Sequence, residues 1–445
     1  VIPAKHGFFK KETTMSKNVI VVGGGLAGLV AANFAANAGA KVTLFEKSHL
    51  TGGRATTTEK HGIKFNLGPH ALYRGGQAYS ILHELGVEVT GGIPKVAGTV
   101  AVRDGQKHTL PGTPLSLLTT GLFGIAAKLE AAGLLSSLPK VDAAKFNHQT
   151  VREWLDREIR SADLRQFIQA FFRLGTYAND PERQSAGLAL AQFQMALKSS
   201  VLYADGGWQM LVNGLRVKAE QAGAKIISES RVVKVLVQSG RATGVRLADG
   251  SEHVADAIII TASPAEAAEL VENDSLSDVA KTAIPVKAAC LDVALERLPK
   301  PETTFALGID RPLYLSVHSA AAKLAPESQA LIHVAMYLGS EAPTDAKAVE
   351  YELETLLDLV QPGWRQVLIE RRFMPSLTVV NALATAEQGG LTGRFGPAVP
   401  GVEGLFVAGD WVGADGWLAD ASAASGKRAA ELAVQTPNKA MAKTA

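Results

Sequence analysis

Three glycines and one glutamate carry the first recognisable chemistry in this sequence. Gly23, Gly25 and Gly28 follow the short apolar run at 19–22 and open a stretch of helix-forming residues with apolar spacing over 26–38. Between a strand and a helix, that pattern cradles a pyrophosphate: Gly23 permits the tight turn, Gly25 lets the backbone approach phosphate oxygens, and Gly28 lets the helix pack closely on the sheet. The first amides of the helix, from Leu26 and Ala27 onward, have no intrahelical acceptors and lie at the positive end of the helix dipole. Glu46, with Lys47 beside it, ends the next apolar run at 41–45. It stands near the ~20-residue spacing at which a carboxylate accepts hydrogen bonds from ribose hydroxyls. An acid there also disfavours a 2′-phosphate. These residues specify an adenine dinucleotide and leave FAD and NAD open. A glycine-rich structural turn followed by a surface glutamate is the bland alternative, and the shared register of strand, helix and acid argues against it.

The elements that must position these residues follow from patterning. Residues 19–22 read as a strand buried on both faces of a parallel sheet. Asn37-Ala38-Gly39 stops the helix, and 41–45 completes a βαβ opening. Strands are expected again at 224–227, 232–237, 242–247 and 257–261, with Asp249-Gly250 as a hairpin turn. Residues 151–197 between these blocks have helical periodicity. After 261 the chain leaves through strand-like stretches at 288–295 and 330–338 and a helix pattern at 347–360, and it returns as a strand at 404–407. The expectation is an α/β fold with a nucleotide domain built from three separated stretches, 15–100, 205–284 and 395–435. A second domain is inserted as 101–204, mainly helical, and 285–394. Residues 1–14 and 436–445 are expected to be flexible, with a start at Met15.

Further motifs identify a family resemblance. Thr51-Gly52-Gly53-Arg54, Phe65-Asn66-Leu67-Gly68-Pro69-His70 and Gly404-Leu405-Phe406-Val407-Ala408-Gly409-Asp410 resemble motifs of the flavoproteins that include amine oxidases, protoporphyrinogen oxidases and phytoene desaturases. The resemblance runs from Asn18 to about Val434, specific at the ends and diffuse in the middle. It implies a discontinuous Rossmann-like FAD-binding domain of the glutathione-reductase-2 type with an inserted α+β substrate domain. It implies that Gly53 and Arg54 reach the pyrophosphate or ribityl region, and that Gly68, Pro69 and His70 pass beside the flavin ring. Val233 would contact the cofactor through its backbone, and Thr261-Ala262-Ser263-Pro264 would close over the nucleotide. Gly409 and Asp410 would meet the ribityl hydroxyls, a group that FAD has and NAD lacks, so this site tips the cofactor to FAD. Trp417 and Leu418 lead into a helix rich in small residues, whose first amides, around Ala421 and Ser422, would face the flavin O2.

The substrate is less legible. Segments 110–114, 174–181 and 204–208 are similar to protoporphyrinogen oxidases and bacterial phytoene desaturases, which implies hydride removal from an apolar small molecule such as an isoprenoid or tetrapyrrole, with the flavin reoxidised by dioxygen or a quinone. The aliphatic stretch 115–138 offers a surface to line a tunnel or touch a membrane interface, with a core helix as the equal alternative. Catalytic residues are not fixed by sequence. His70 is one candidate, and Lys287 another, standing where related amine oxidases carry a lysine that reaches the flavin through water. The amine-oxidase reading is second, because aromatics for an amine cage are few, at 6% of the chain. A non-catalytic binding protein is third. Composition narrows the rest. The 445 residues are 47% hydrophobic and 20% charged with a net charge of +2, so no global field invites nucleic acid. Cys290 is the single cysteine, which excludes disulfides and multi-cysteine metal motifs, and no metal is needed for flavin chemistry. A cytoplasmic location, with peripheral membrane contact, fits best; oligomeric state is left open.

Overall fold

The computed structural model describes residues 16–339, 342–343 and 345–436. Met15, the 1–14 segment and residues 437–445 lie outside the described residues.

Five strands form a parallel sheet in the order Lys225–Ile227, Lys41–Phe45, Asn18–Val22, Ala257–Ile260, Leu405–Val407. They come from three separated stretches of chain, the arrangement of a Rossmann-like domain. Ala257–Ile260 is buried at every position, as a central strand covered on both faces must be. One face carries the helices Leu26–Asn37, Trp208–Gln221 and Ala419–Gln435. Small residues let two of these helices touch: a Cβ on Gly426 would lie 2.4 Å from the Ala27 carbonyl oxygen. The other face is covered by an antiparallel meander, Val232–Gln238, Arg241–Leu247 and Glu252–Val254.

A second, seven-stranded sheet has the order Leu368–Val380, Val286–Leu295, Ala330–Leu338, Leu313–Val317, Phe305–Gly308, Thr99–Arg103, Gln106–Thr109. The helix Ala346–Val360 covers one face through Val349, Leu353, Leu356 and Leu357. The 151–197 region is three helices, Val151–Glu158, Ala162–Thr176 and Ala186–Ser199, each started by a hydroxyl N-cap from Thr150, Ser161 or Ser185. Arg173 ties this bundle to the second sheet by donating to the carbonyls of Gly308 and Ile309. The aliphatic stretch at 115–138 is two helices, Pro114–Thr119 and Ile125–Ser137, and no described helix is long and apolar enough to cross a membrane.

Candidate functional site: a glycine-lined cavity with an apolar arm

A cavity of about 1790 Å³ runs from the carboxyl ends of the parallel strands into the space between the second sheet and the helices. Its position outside the strand ends is where open α/β sheets place their ligands. Gly23 and Gly25 line it, and Leu26 and Ala27 bring the first turn of their helix to it. That helix has Gly25 as N-cap with no capping side chain, so its leading amides stay available to an anion. Gly28 lies behind the lining. A Cβ there would sit 1.9 Å from the Gly23 carbonyl oxygen, so this glycine sets the close approach of helix to turn.

Glu46 lines the cavity and is fixed from both sides, accepting from the Gly24 amide at 2.6 Å and the Ser48 amide at 2.8 Å. Lys47 is at the rim, paired with Glu266 at 2.5 Å. Arg54 and Asp410, far apart in sequence, meet: the Arg54 guanidinium donates to the Asp410 carboxylate at 2.6 Å and to the Val379 carbonyl at 2.7 Å. Asn381 adds its backbone amide at 3.2 Å and its side-chain amide at 2.9 Å to the same carboxylate, which is 2% exposed. Gly53, Gly409 and Asp410 all line the cavity.

At the far end of the same wall stand Leu418, Ala419 and Ser422. Leu418 is the N-cap of the final helix at φ 57°, with no capping side chain, so the helix turns its positive dipole end to the cavity, while the Asp420 amide is taken by the Trp417 carbonyl at 3.1 Å. A leucine at positive φ is strained backbone, of the kind that clusters at ligand sites. Ala421 and Trp417 support from behind. Ala421 is buried, and the Trp417 indole N–H donates to the Thr176 carbonyl at 2.9 Å.

Val233, Lys287 and Gly68 also stand outside the lining. Val233 is exposed and lies outside the lining, while Val232 is in it. The cause is a β-bulge between Val232 and Lys234, which leaves Val233 unpaired against the neighbouring strand. Lys287 is exposed and outside the lining, whereas Ala288 and Cys290 line it; alternate residues of one strand face opposite ways, so the lysine is turned from the cavity. Gly68 is one layer back, packed at φ +77° where a Cβ would meet the Cys290 sulfur at 2.9 Å.

Pro69 and His70 do line the cavity. His70 has Nδ1 at 3.1 Å from the Gly68 carbonyl and Nε2 at 3.0 Å from the Arg54 carbonyl, and burial lowers its pKa. Both ring nitrogens face backbone carbonyls, and the neutral ring that burial favours donates to only one of them.

Sequence reasoning missed Asn381 and the tyrosines Tyr203 and Tyr314, which line the cavity from the second sheet and the strand beside it. No motif marks them. The donor set fits a flavin dinucleotide: an uncapped helix start and a glycine turn for the diphosphate, an acid for ribose hydroxyls, and a second uncapped helix start for an electron-rich ring edge.

The comparisons agree with this geometry. The sequence model of the flavin containing amine oxidoreductases matches residues 26–434. A 4,4'-diaponeurosporene oxygenase of Staphylococcus aureus is 26% identical over 282 residues, 55% of this chain and 55% of that protein, so the chain spans about half the length of the curated relatives it matches. An oxidoreductase from Methanosarcina mazei has the same fold, with a TM-score of 0.73 at 20% identity over 94% of this chain and 99% of that one. So has a putrescine oxidase bound to putrescine, with a TM-score of 0.71 at 16% identity over 94% and 98%. With a match from the first nucleotide helix to the last, this chain belongs to the family of flavin containing amine oxidoreductases.

Proposed function

We propose that the chain binds FAD and removes hydride equivalents from an apolar small molecule of the isoprenoid or tetrapyrrole class. The observation that carries this reading is the cavity's second arm. Beyond the nucleotide elements its wall is Leu117, Leu135, Phe167, Phe171, Phe193 and Phe305, a surface that recognises a substrate by exclusion of water rather than by charge. The relative named for diaponeurosporene fits the same substrate class.

FAD, when bound, supplies the acceptor for the hydride equivalents, and dioxygen or a quinone would restore it. The chain's own groups bind and orient. The Leu26–Asn37 helix start and Glu46 would hold the adenosine diphosphate, and the Arg54–Asp410–Asn381 cluster would hold the ribityl chain. The final helix start would stabilise negative charge on the reduced ring. The amine reading loses its lysine, because Lys287 faces away from the cavity.

The arm reaches the surface beside Val96 and the helices Pro114–Thr119 and Ile125–Ser137, where Leu115, Leu118, Ile125 and Leu129 are exposed. We propose that this face meets a lipid bilayer and draws the substrate from it.

The test is spectroscopic. Purified protein should be yellow, release FAD on denaturation, and be bleached anaerobically by an apolar polyene but not by a panel of mono- and polyamines. Protein that cannot be reconstituted with FAD, or that only amines bleach, overturns the proposal.

A further inference from the structure

A chain of buried polar side chains stands behind the cavity wall and serves none of the roles described so far. Tyr203, Tyr314 and Ser316 line the cavity. The Tyr203 hydroxyl is 3.1 Å from the Ser316 hydroxyl and 3.5 Å from that of Tyr314. The Tyr314 hydroxyl is in turn 3.2 Å from His318 Nε2. His318 is behind the wall, stacked on Tyr203 at 3.8 Å, with its ring centre 4.5 Å from that of His333. His333 Nδ1 is 2.6 Å from Asp292, and both are fully buried. The other oxygen of Asp292 accepts from Arg372 at 2.6 Å, and Arg372 is 26% exposed. The line thus leads from the cavity to the surface.

The hydrogen-bond accounting gives this line a direction. Asp292 accepts from Arg372 and faces His333 Nδ1, so that nitrogen carries a proton toward the carboxylate. If Tyr314 donates to His318 Nε2, then His318 carries its proton on Nδ1. The two ring nitrogens left without partners are His318 Nδ1 and His333 Nε2. Burial also pushes the His318 pKa well below its ordinary value, helped by the neighbouring His333 and His70. His318 therefore rests as a neutral base. The groups around it are Tyr203, Tyr314, His333 and His70, with the Asp292–Arg372 pair behind.

We infer that Tyr314 is the proton acceptor of the reaction and that His318, bonded to its hydroxyl, is the relay that makes it one. The inference rests on the dehydrogenation proposed above. In that reaction the substrate loses one C–H as a hydride equivalent, for which bound FAD would supply the acceptor, and the adjacent C–H as a proton. The proton passes to the Tyr314 oxygen while the Tyr314 hydroxyl proton passes to His318 Nε2. The electron pair of the second C–H bond becomes the new C=C bond. The charge on His318 lies beside the buried His333–Asp292 pair, with the two histidine ring centres 4.5 Å apart. Tyr314 lines the cavity, and His318 positions and polarises it.

Two experiments test the inference separately from the wider function. In 15N-histidine NMR of the purified protein, His318 should be a neutral Nδ1–H tautomer. Tyr314→Phe, which removes one hydroxyl and should fold, should move the His318 Nε2 signal. A His318 Nε2–H tautomer, or signals unmoved by the substitution, overturns the relay whatever the substrate is. In anaerobic bleaching with 4,4'-diaponeurosporene in detergent micelles, Tyr314→Phe and His318→Gln should keep FAD content and lower the rate by roughly 10²-fold or more, the range of a lost general base. Tyr314→Phe bleaching within about twofold of wild type removes Tyr314 from proton transfer. Wild-type protein that holds FAD but is never bleached by apolar substrates counts against the proposed function alone, since the His318 tautomer still decides the relay.

Discussion

At the scale of residues, Asp420 gives a prediction with a definite sign. It lies in the first turn of the final helix, 2% exposed, with one oxygen accepting from the Ala78 amide at 2.8 Å and the other without a partner. Burial pushes its pKa up to about 6, against the weaker opposing pull of that amide. A carboxyl whose folded pKa is raised holds its proton in the folded state at pH values where the unfolded chain has lost it. Stability therefore falls as pH rises from about 4 to about 6, by roughly 2–3 kcal/mol at about 1.4 kcal/mol per pKa unit. Asp420→Asn keeps an acceptor for Ala78 and has no proton to lose. Urea titrations of the flavin-free protein at pH 4.5 and 7.5 should show the variant gaining on wild type at the higher pH. An equal pH slope in the two proteins would mean that Asp420 is ionised in the fold throughout.

At the scale of elements, the Leu26–Asn37 helix is set by what Gly28 lacks. Gly28→Ala must displace either the turn or the helix, because its Cβ falls 1.9 Å from the Gly23 carbonyl oxygen. Overpacking of this kind costs about 1–3 kcal/mol, and here it also moves the amides that would hold the diphosphate. The expected outcome is a lower urea midpoint and a flavin content reduced more than the stability loss alone would cause. Wild-type flavin content in a destabilised protein would separate the helix from the cofactor. This element was legible in sequence because turn, helix stop and apolar runs all lie within one local βαβ unit. Elements defined by long-range pairing were not. Leu368–Val380 holds Glu370, Arg371, Arg372 and Pro375 and has no clean alternation, since it is an edge strand that pairs with Val286–Leu295 alone. The hairpin Thr99–Arg103 to Gln106–Thr109 did carry a signal, in Asp104-Gly105 at positive φ, the same dipeptide read as a hairpin turn at Asp249-Gly250, where Gly250 alone has positive φ. At the site, residues next to a motif were legible, and those delivered by register were not. A one-residue step separates Lys287 from Ala288, and a bulge separates Val233 from Val232, and neither has a local mark.

At the scale of the whole molecule, the cavity joins a polar end lined by glycines and Glu46 to an apolar arm, and exposed aliphatic side chains gather at the arm's opening. Leu115, Leu118, Ile125 and Leu129 are 71%, 68%, 82% and 71% exposed, on two helices whose opposite faces carry Leu117, Ala127 and Ala131 into the core. These four side chains are too exposed to stabilise the fold, and burial of each in hydrocarbon is worth up to about 1.5–3 kcal/mol. Lys128 lies on the same helix, where its long side chain can remain at a headgroup layer while the aliphatics enter. Docking on a bilayer would set the mouth beside Val96 against the lipid, and a water-insoluble substrate would reach the flavin without crossing solvent. The double variant Leu118→Glu, Ile125→Glu should therefore lose flotation with lipid vesicles by at least about tenfold, since two charges oppose insertion at more than 1.4 kcal/mol together. Its FAD content and its bleaching by detergent-solubilised substrate should stay at wild-type values, because neither residue lines the cavity. Flotation equal to wild type would move the docking face elsewhere. Loss of bleaching in detergent would instead show that these helices shape the arm itself.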